Sequence, residues 1–287
     1  MAVPPMEQFA RGQITRLADR LVEDLHAAAR KQDEDPVHRM RVSIRRFVQS
    51  LKVFEQYVPK SASKKAQKEL RRLMRLSSKV RDLDIAMLFL NKHRHPVGIL
   101  AERRERAGLE LADALGSGKW QSRLEWNGQE VHVPKDGSVS KYVQARLPGM
   151  AEDFFVAGRK AMKPKRTWDE MHEFRLAAKE FRYTLELFLP VFGIELEKRL
   201  EAMRKIQQFL GDISDAVSNR KLLKELDGTD PLREKLAKKA DSRREALILY
   251  WDGQFDAPGE LEKWKAYLET DTARPKKMVQ QKVRAHV

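Results

Sequence analysis

The stretch Val37-His38-Arg39-Met40-Arg41-Val42-Ser43-Ile44-Arg45-Arg46-Phe47-Val48-Gln49-Ser50-Leu51-Lys52-Val53-Phe54 decides how this chain is read, because it occurs twice. The second copy is Met171-His172-Glu173-Phe174-Arg175-Leu176-Ala177-Ala178-Lys179-Glu180-Phe181-Arg182-Tyr183-Thr184-Leu185-Glu186-Leu187-Phe188. His172 stands where His38 does, Arg175 for Arg41 and Lys179 for Arg45, and Phe181, Leu185 and Phe188 stand for Phe47, Leu51 and Phe54. On a helix of about 100° per residue, Met40, Ile44, Phe47, Leu51 and Phe54 form one core-facing stripe. His38, Arg41, Arg45 and Lys52 gather on another arc, roughly 120° away. His172, Arg175, Lys179 and Arg182 do the same in the second copy. One basic helix face is most often solvated surface. Two such faces, each headed by a histidine, argue for a shared task.

The segment after each copy also repeats. Leu70, Leu73, Leu76 and Val80 make an apolar stripe, echoed by Met203, Ile206, Phe209 and Ile213. Ser61 or Ser63 is the expected cap of the first of these helices. Lys64, Lys68, Arg71 and Arg75 fall on a separate arc of it, and Lys79 and Arg81 follow. Ser77 to Asp82 matches Leu210 to Asp215, with Arg204 and Lys205 upstream in the second copy. Further basic groups lie at Arg103, Arg104 and Arg106, and at Lys238, Lys239, Arg243 and Arg244.

The pattern predicts an all-α, internally duplicated pair of helical bundles. A first half-bundle covers about 7–126, a linker 127–138, a second half-bundle 139–270 and a basic tail 271–287. The His38 helix is expected to stop near Pro59 and the His172 helix at Pro190. A short helix is expected near Asn219–Leu226 and a longer one over Pro231–Trp251. The repeat far exceeds the roughly 20–50 residues of solenoid units.

Composition narrows the function. The net charge is +15 with a pI near 9.9, a surplus that calls for a polyanionic partner: nucleic acid, an anionic membrane or a phosphate polymer. There is no cysteine, which removes disulfides, thiolate metal sites and cysteine nucleophiles. The first residues lack the basic start and apolar run of a signal peptide. No window approaches the roughly 18–20 apolar residues of a membrane span. The expected location is the cytoplasm.

His38-x-x-Arg41-x-x-x-Arg45-Arg46, followed by Arg81-Asp82-x-Asp84, resembles the CHAD family, the conserved histidine α-helical domain. The second half carries a weaker echo in His172-x-x-Arg175-x-x-x-Lys179 and Leu210-Gly211-x-x-Ser214-Asp215. The resemblance implies two bundles related by a pseudo-twofold axis, around a basic central groove or pore that binds inorganic polyphosphate. It also implies association with polyphosphate or polyhydroxyalkanoate granules and their surface proteins. Many relatives carry an adjoining CYTH domain, of which this sequence shows only the fragments Glu195-x-Glu197-Lys198 and Glu260-x-Glu262-Lys263. The chain departs from the family pattern at Glu180 and Glu186, where the first half has Arg46 and Lys52, and at Ser214, where it has Arg81. Ser77-Ser78 replaces the usual Leu-Gly. The second half is therefore expected to offer fewer cationic contacts.

A phosphate polymer has no bases to stack or read. It needs donors along a rigid groove: guanidinium groups for bidentate contacts and ammonium groups as point charges. The candidate contacts are His38, Arg41, Arg45, Arg46, Lys52, Lys68, Arg71, Arg75, Lys79, Arg81, Arg104, His172, Arg175, Lys179, Arg182, Arg204, Lys205, Arg243 and Arg244. The histidines admit two readings, as braces between helices or as donors to phosphate. Nearby arginines disfavour imidazolium, so the donor is expected to be neutral without anion. Asp82 and Asp215 read as partners of basic side chains or helix caps. No catalytic or metal constellation and no cofactor motif is found. Nucleic-acid binding is the main alternative, although the basic faces lack the interleaved aromatics of single-strand binders. A metal-dependent polyphosphate hydrolase is the second.

Overall fold

The computed structural model describes residues 5–124, 137–164 and 168–270. Ten α-helices account for nearly all of them, and the described residues include no strand beyond an isolated bridge between Pro5 and Ser138. The helices are α1 (Met6–Arg30), α2 (Glu34–Val53), α3 (Lys60–Lys92), α4 (Gly98–Gly116), α5 (Lys119–Leu124), α6 (Val139–Met162), α7 (Trp168–Phe192), α8 (Ile194–Leu223), α9 (Asp230–Gln254) and α10 (Glu260–Glu269). The chain is all-α, as the periodicity requires. Most of the expected linker and the whole of the basic tail lie outside the described residues.

Both copies of the repeat bury their apolar stripes. Met40, Ile44, Phe47, Leu51 and Phe54 are at most 1% exposed, and so are Phe174, Ala178, Phe181, Leu185 and Phe188. Several boundaries differ from expectation. α2 ends at Val53, and a short 3-10 turn over Glu55–Tyr57 carries the chain to Pro59. Pro59, rather than a serine, occupies the cap position of α3; Ser61 and Ser63 lie within its first turn, and Ser63 is buried. Pro190 sits inside α7, which continues to Phe192 and stops at Gly193, whose φ of 71° is readily adopted only by glycine. No separate helix covers Asn219–Leu226, because α8 runs unbroken to Leu223. Buried Thr229 then closes that end, donating to the carbonyls of Leu223 (2.6 Å) and Leu226 (2.9 Å).

The chain divides into two compact units. One collects the described residues of Met1–Phe9, Lys135–Gly211 and Arg243–Val287. Its core is aromatic. Phe154 of α6 has Phe174, Phe181, Trp251 and Phe255 with ring centroids within 5.6 Å. Gly158, one turn along α6, admits the Trp251 indole: a Cβ there would lie 2.0 Å from the ring.

The other unit collects the described residues of Ala10–Pro134 and Asp212–Ser242. Here α3 packs against α2, α4 and α5. The buried carboxylate of Asp24 on α1 accepts from Ser43 of α2 and faces Arg20 (3.2 Å) and Arg39 (3.7 Å). A buried charge persists only when so paired. The apolar stripe of α3 is interrupted: Leu76 is half-buried, and the small Ser77 takes the fully buried place beside it.

Candidate functional site

The first basic row lies wholly in the Ala10–Pro134 unit. Helices α2 and α3 are joined by a short turn and run antiparallel, so the start of α2 meets the second half of α3. Arg41 fixes the register. Its guanidinium donates to Ser78 Oγ at 2.8 Å, Ser77 Oγ at 3.0 Å and the Met74 carbonyl at 3.2 Å. Ser77 and Ser78 are thus acceptors for this arginine.

Helical geometry then places the other cations. His38, Arg45 and Lys52 of α2 share the arc beside Arg41, away from the buried stripe. Lys64, Lys68, Arg71 and Arg75 fall on the matching outward arc of α3 and are all exposed. The four span about 16 Å at 1.5 Å per residue. Both rows of cations thus lie on solvent-facing arcs of α2 and α3, and Arg41 links the two helices across their seam. Among the described residues, Arg45, Lys64, Lys68, Arg71 and Arg75 have no carboxylate partner. Arg46 is exposed.

At the end of the seam, partial burial and the charges of Arg81, Arg45 and Arg41 hold the His38 pKa below the ordinary imidazole value; Glu34 opposes them. The residue as a whole remains exposed. Arg81 pairs with Glu34 across α3 and α2. Arg104 of α4 pairs with Asp84 at 2.9 Å and donates to the Gln32 carbonyl, clasping the α1–α2 corner. Lys79, one turn beyond Arg75 on the same arc of α3, pairs with Glu110 of α4 at 2.9 Å. A cleft of about 390 Å³ opens there, walled by Lys79, Asp82, Arg103 and Arg106. Asp84 is thus a visible arginine holder, and Asp82 is exposed at the cleft wall.

The second row is in the other unit. His172 is exposed, and Arg175 and Lys179 are part-exposed. Arg182 pairs with Glu186 at 2.6 Å, with only 11% and 15% of the two side chains exposed, and its guanidinium lies 4.6 Å from the Tyr183 ring centroid. Arg204 pairs with Glu197 (2.7 Å) and Glu201 (2.8 Å). Lys205 lies over Phe209 at 5.2 Å. On α9, Arg243 is exposed and Arg244 half-buried. Glu186 stands where the first copy has Lys52, so one substitution both removes a cation and occupies another.

Glu34, Asp84, Ser78 and Glu197 were not picked out as partners from the sequence. Glu34 alone offered a local signal, one helical turn before His38. Among the described residues, no three His, Asp or Glu side chains converge as a metal site, and no helix is long and apolar enough to cross a membrane.

The helical architecture and the histidine-headed row together define a class, and comparison with known proteins agrees. The family model of the CHAD domain matches residues 12–224. The chain belongs to the CHAD domain family. It is similar in fold to the CHAD domain from the plant Ricinus communis, with 21% identity and a TM-score of 0.57, covering 94% of this chain and 93% of that one. It is also similar to PptA from Streptomyces chartreusis, with 16% identity and a TM-score of 0.63, covering 87% and 100%. No curated protein matches the chain.

Proposed function

We propose that this protein binds inorganic polyphosphate along the α2–α3 seam, as a binding protein rather than an enzyme. The observation that carries the reading is the crowding of Arg41, Arg45 and Arg81 around His38, together with four exposed cations of α3 that have no carboxylate partner among the described residues. Like charges held this close repel one another, and an anion that neutralises them removes that cost. A chain of singly charged phosphates matches a row of cations better than a compact anion does, because each contact can be made by the same molecule. Family membership points the same way. The second row is the weaker contributor, since Arg182 and Arg204 are already held by carboxylates. Placement on polyphosphate or polyhydroxyalkanoate granules, with granule surface proteins as further partners, extends this reading to the cell.

Competition at fixed ionic strength tests it. Long polyphosphate, tripolyphosphate, heparin and RNA are offered against labelled long polyphosphate. The reading expects long polyphosphate to compete best. Stronger competition by RNA, with a preference among base sequences, favours a nucleic-acid role instead. Phosphate release that needs magnesium and is lost in Asp82→Ala would revive the hydrolase reading.

A further inference from the structure

We infer that His38 takes up a proton when a phosphate chain occupies the seam, which makes the chain bind more tightly as the pH falls. The inference rests on the polyphosphate reading of the same seam and adds its regulation.

The argument starts from the position of the ring. His38 heads the seam and is exposed to solvent. The charged groups acting on it are Glu34, Arg41 and Arg45 of its own helix and Arg81 of α3. The single carboxylate among them, Glu34, is paired with Arg81. The free site is therefore net positive around the imidazole, and the uncharged ring is the favoured form.

Phosphates lying on Arg41, Arg45 and Arg81 reverse that balance. The guanidinium charges are then neutralised by oxygens that also lie within reach of the ring. An imidazolium gains a charge-assisted hydrogen bond that neutral imidazole gives less strongly. The pKa of His38 rises on binding. By linkage, a group that binds protons more readily in the complex strengthens the complex as protons become available. One such group steepens affinity by no more than about tenfold per pH unit, between its bound and free pKa values. Internal phosphates of a long chain keep one charge each near neutrality, so the polymer contributes little of this dependence.

The test is calorimetric titration of the full chain with long polyphosphate in pairs of buffers that differ in ionisation heat. It covers about pH 8 to 5.5, which brackets an ordinary imidazole. The expected result is fractional proton uptake near neutrality and several-fold tighter binding at the acidic end. His38→Gln should bind more weakly than wild type and show neither the proton uptake nor the tightening toward acid. Arg81→Gln, which removes one of the opposing charges, should shrink the uptake and serves if the His38 variant does not fold. Binding without proton uptake overturns the coupling and leaves the polyphosphate reading standing. Uptake unchanged in His38→Gln assigns the proton to another group and also overturns it. Absence of binding at every pH removes both readings together.

Discussion

Arg41 on α2 donates to Ser78 on α3 at 2.8 Å, so a member of the basic row is also a strut between helices. The two duties separate by experiment. Arg41→Ala removes bonds from a charged donor that is part-exposed, at a cost of about 1–2 kcal/mol. Arg45→Glu touches no such bond and should change stability by no more than about 0.5 kcal/mol. Both should weaken polyphosphate binding. Urea unfolding beside titration checks this: equal stability losses would mean that the Arg41 bonds contribute nothing.

Stability in the absence of anion should depend on His38 with a definite sign. Its folded pKa lies below the ordinary value, chiefly through burial and the Arg81 charge. The unfolded chain therefore binds the proton more readily. His38 contributes its stability above the ordinary pKa, and that contribution falls as pH drops from there through the lowered folded value. Denaturation across this window should show wild type losing stability relative to His38→Gln toward acid. A gain of wild type over the variant toward acid contradicts the sign.

Gly158 and Trp251 make the most sharply defined packing prediction. A Cβ at Gly158 would fall 2.0 Å from a fully buried indole, so Gly158→Ala forces the ring or the helix to move. The expected cost is about 1–3 kcal/mol. Gly12 lies in α1 with nothing within 4 Å of its Cβ position, and Gly12→Ala should be neutral or slightly stabilising. Thermal melts of the two variants give the comparison.

Arg182 and Glu186 are held together at low exposure, and truncating either partner should cost more than removing both. Arg182→Leu alone is expected to lose about 2 kcal/mol or more, because it strips a mostly desolvated carboxylate of its nearest cation. Arg182→Leu with Glu186→Leu should recover much of the loss. A double-mutant cycle with no coupling would show that other neighbours already satisfy Glu186.

How much of this was legible beforehand follows from the range over which each feature is written. The stripes of Met40 to Phe54 and of Phe174 to Phe188 are local, repeating every three or four residues, and they bury as read. Boundaries failed where one signal was taken alone. Pro190 did not stop α7 because a proline in the last turn leaves few helix bonds to lose. Ser61 did not cap α3 because Pro59 already sets the entry. The site was legible as faces but not as partners. The sequence marks Arg104 and Arg204 as basic residues on helices; it cannot show that Asp84 and Glu197 meet them. Those pairings are decided by packing between helices, and they change which cations are available to an anion.

The most direct test of the seam compares two charge reversals of equal size. Arg45→Glu with Arg71→Glu alters both flanks of the seam. Lys119→Glu with Lys276→Glu makes the same change in net charge, on α5 and in the C-terminal segment. Affinity for long polyphosphate is measured for both at one ionic strength. The account predicts a loss of tenfold or more for the seam pair, about 1.4 kcal/mol, and a much smaller loss for the other. Equal losses would mean that the chain attracts polyanions by overall charge alone and that the α2–α3 seam is not where they bind.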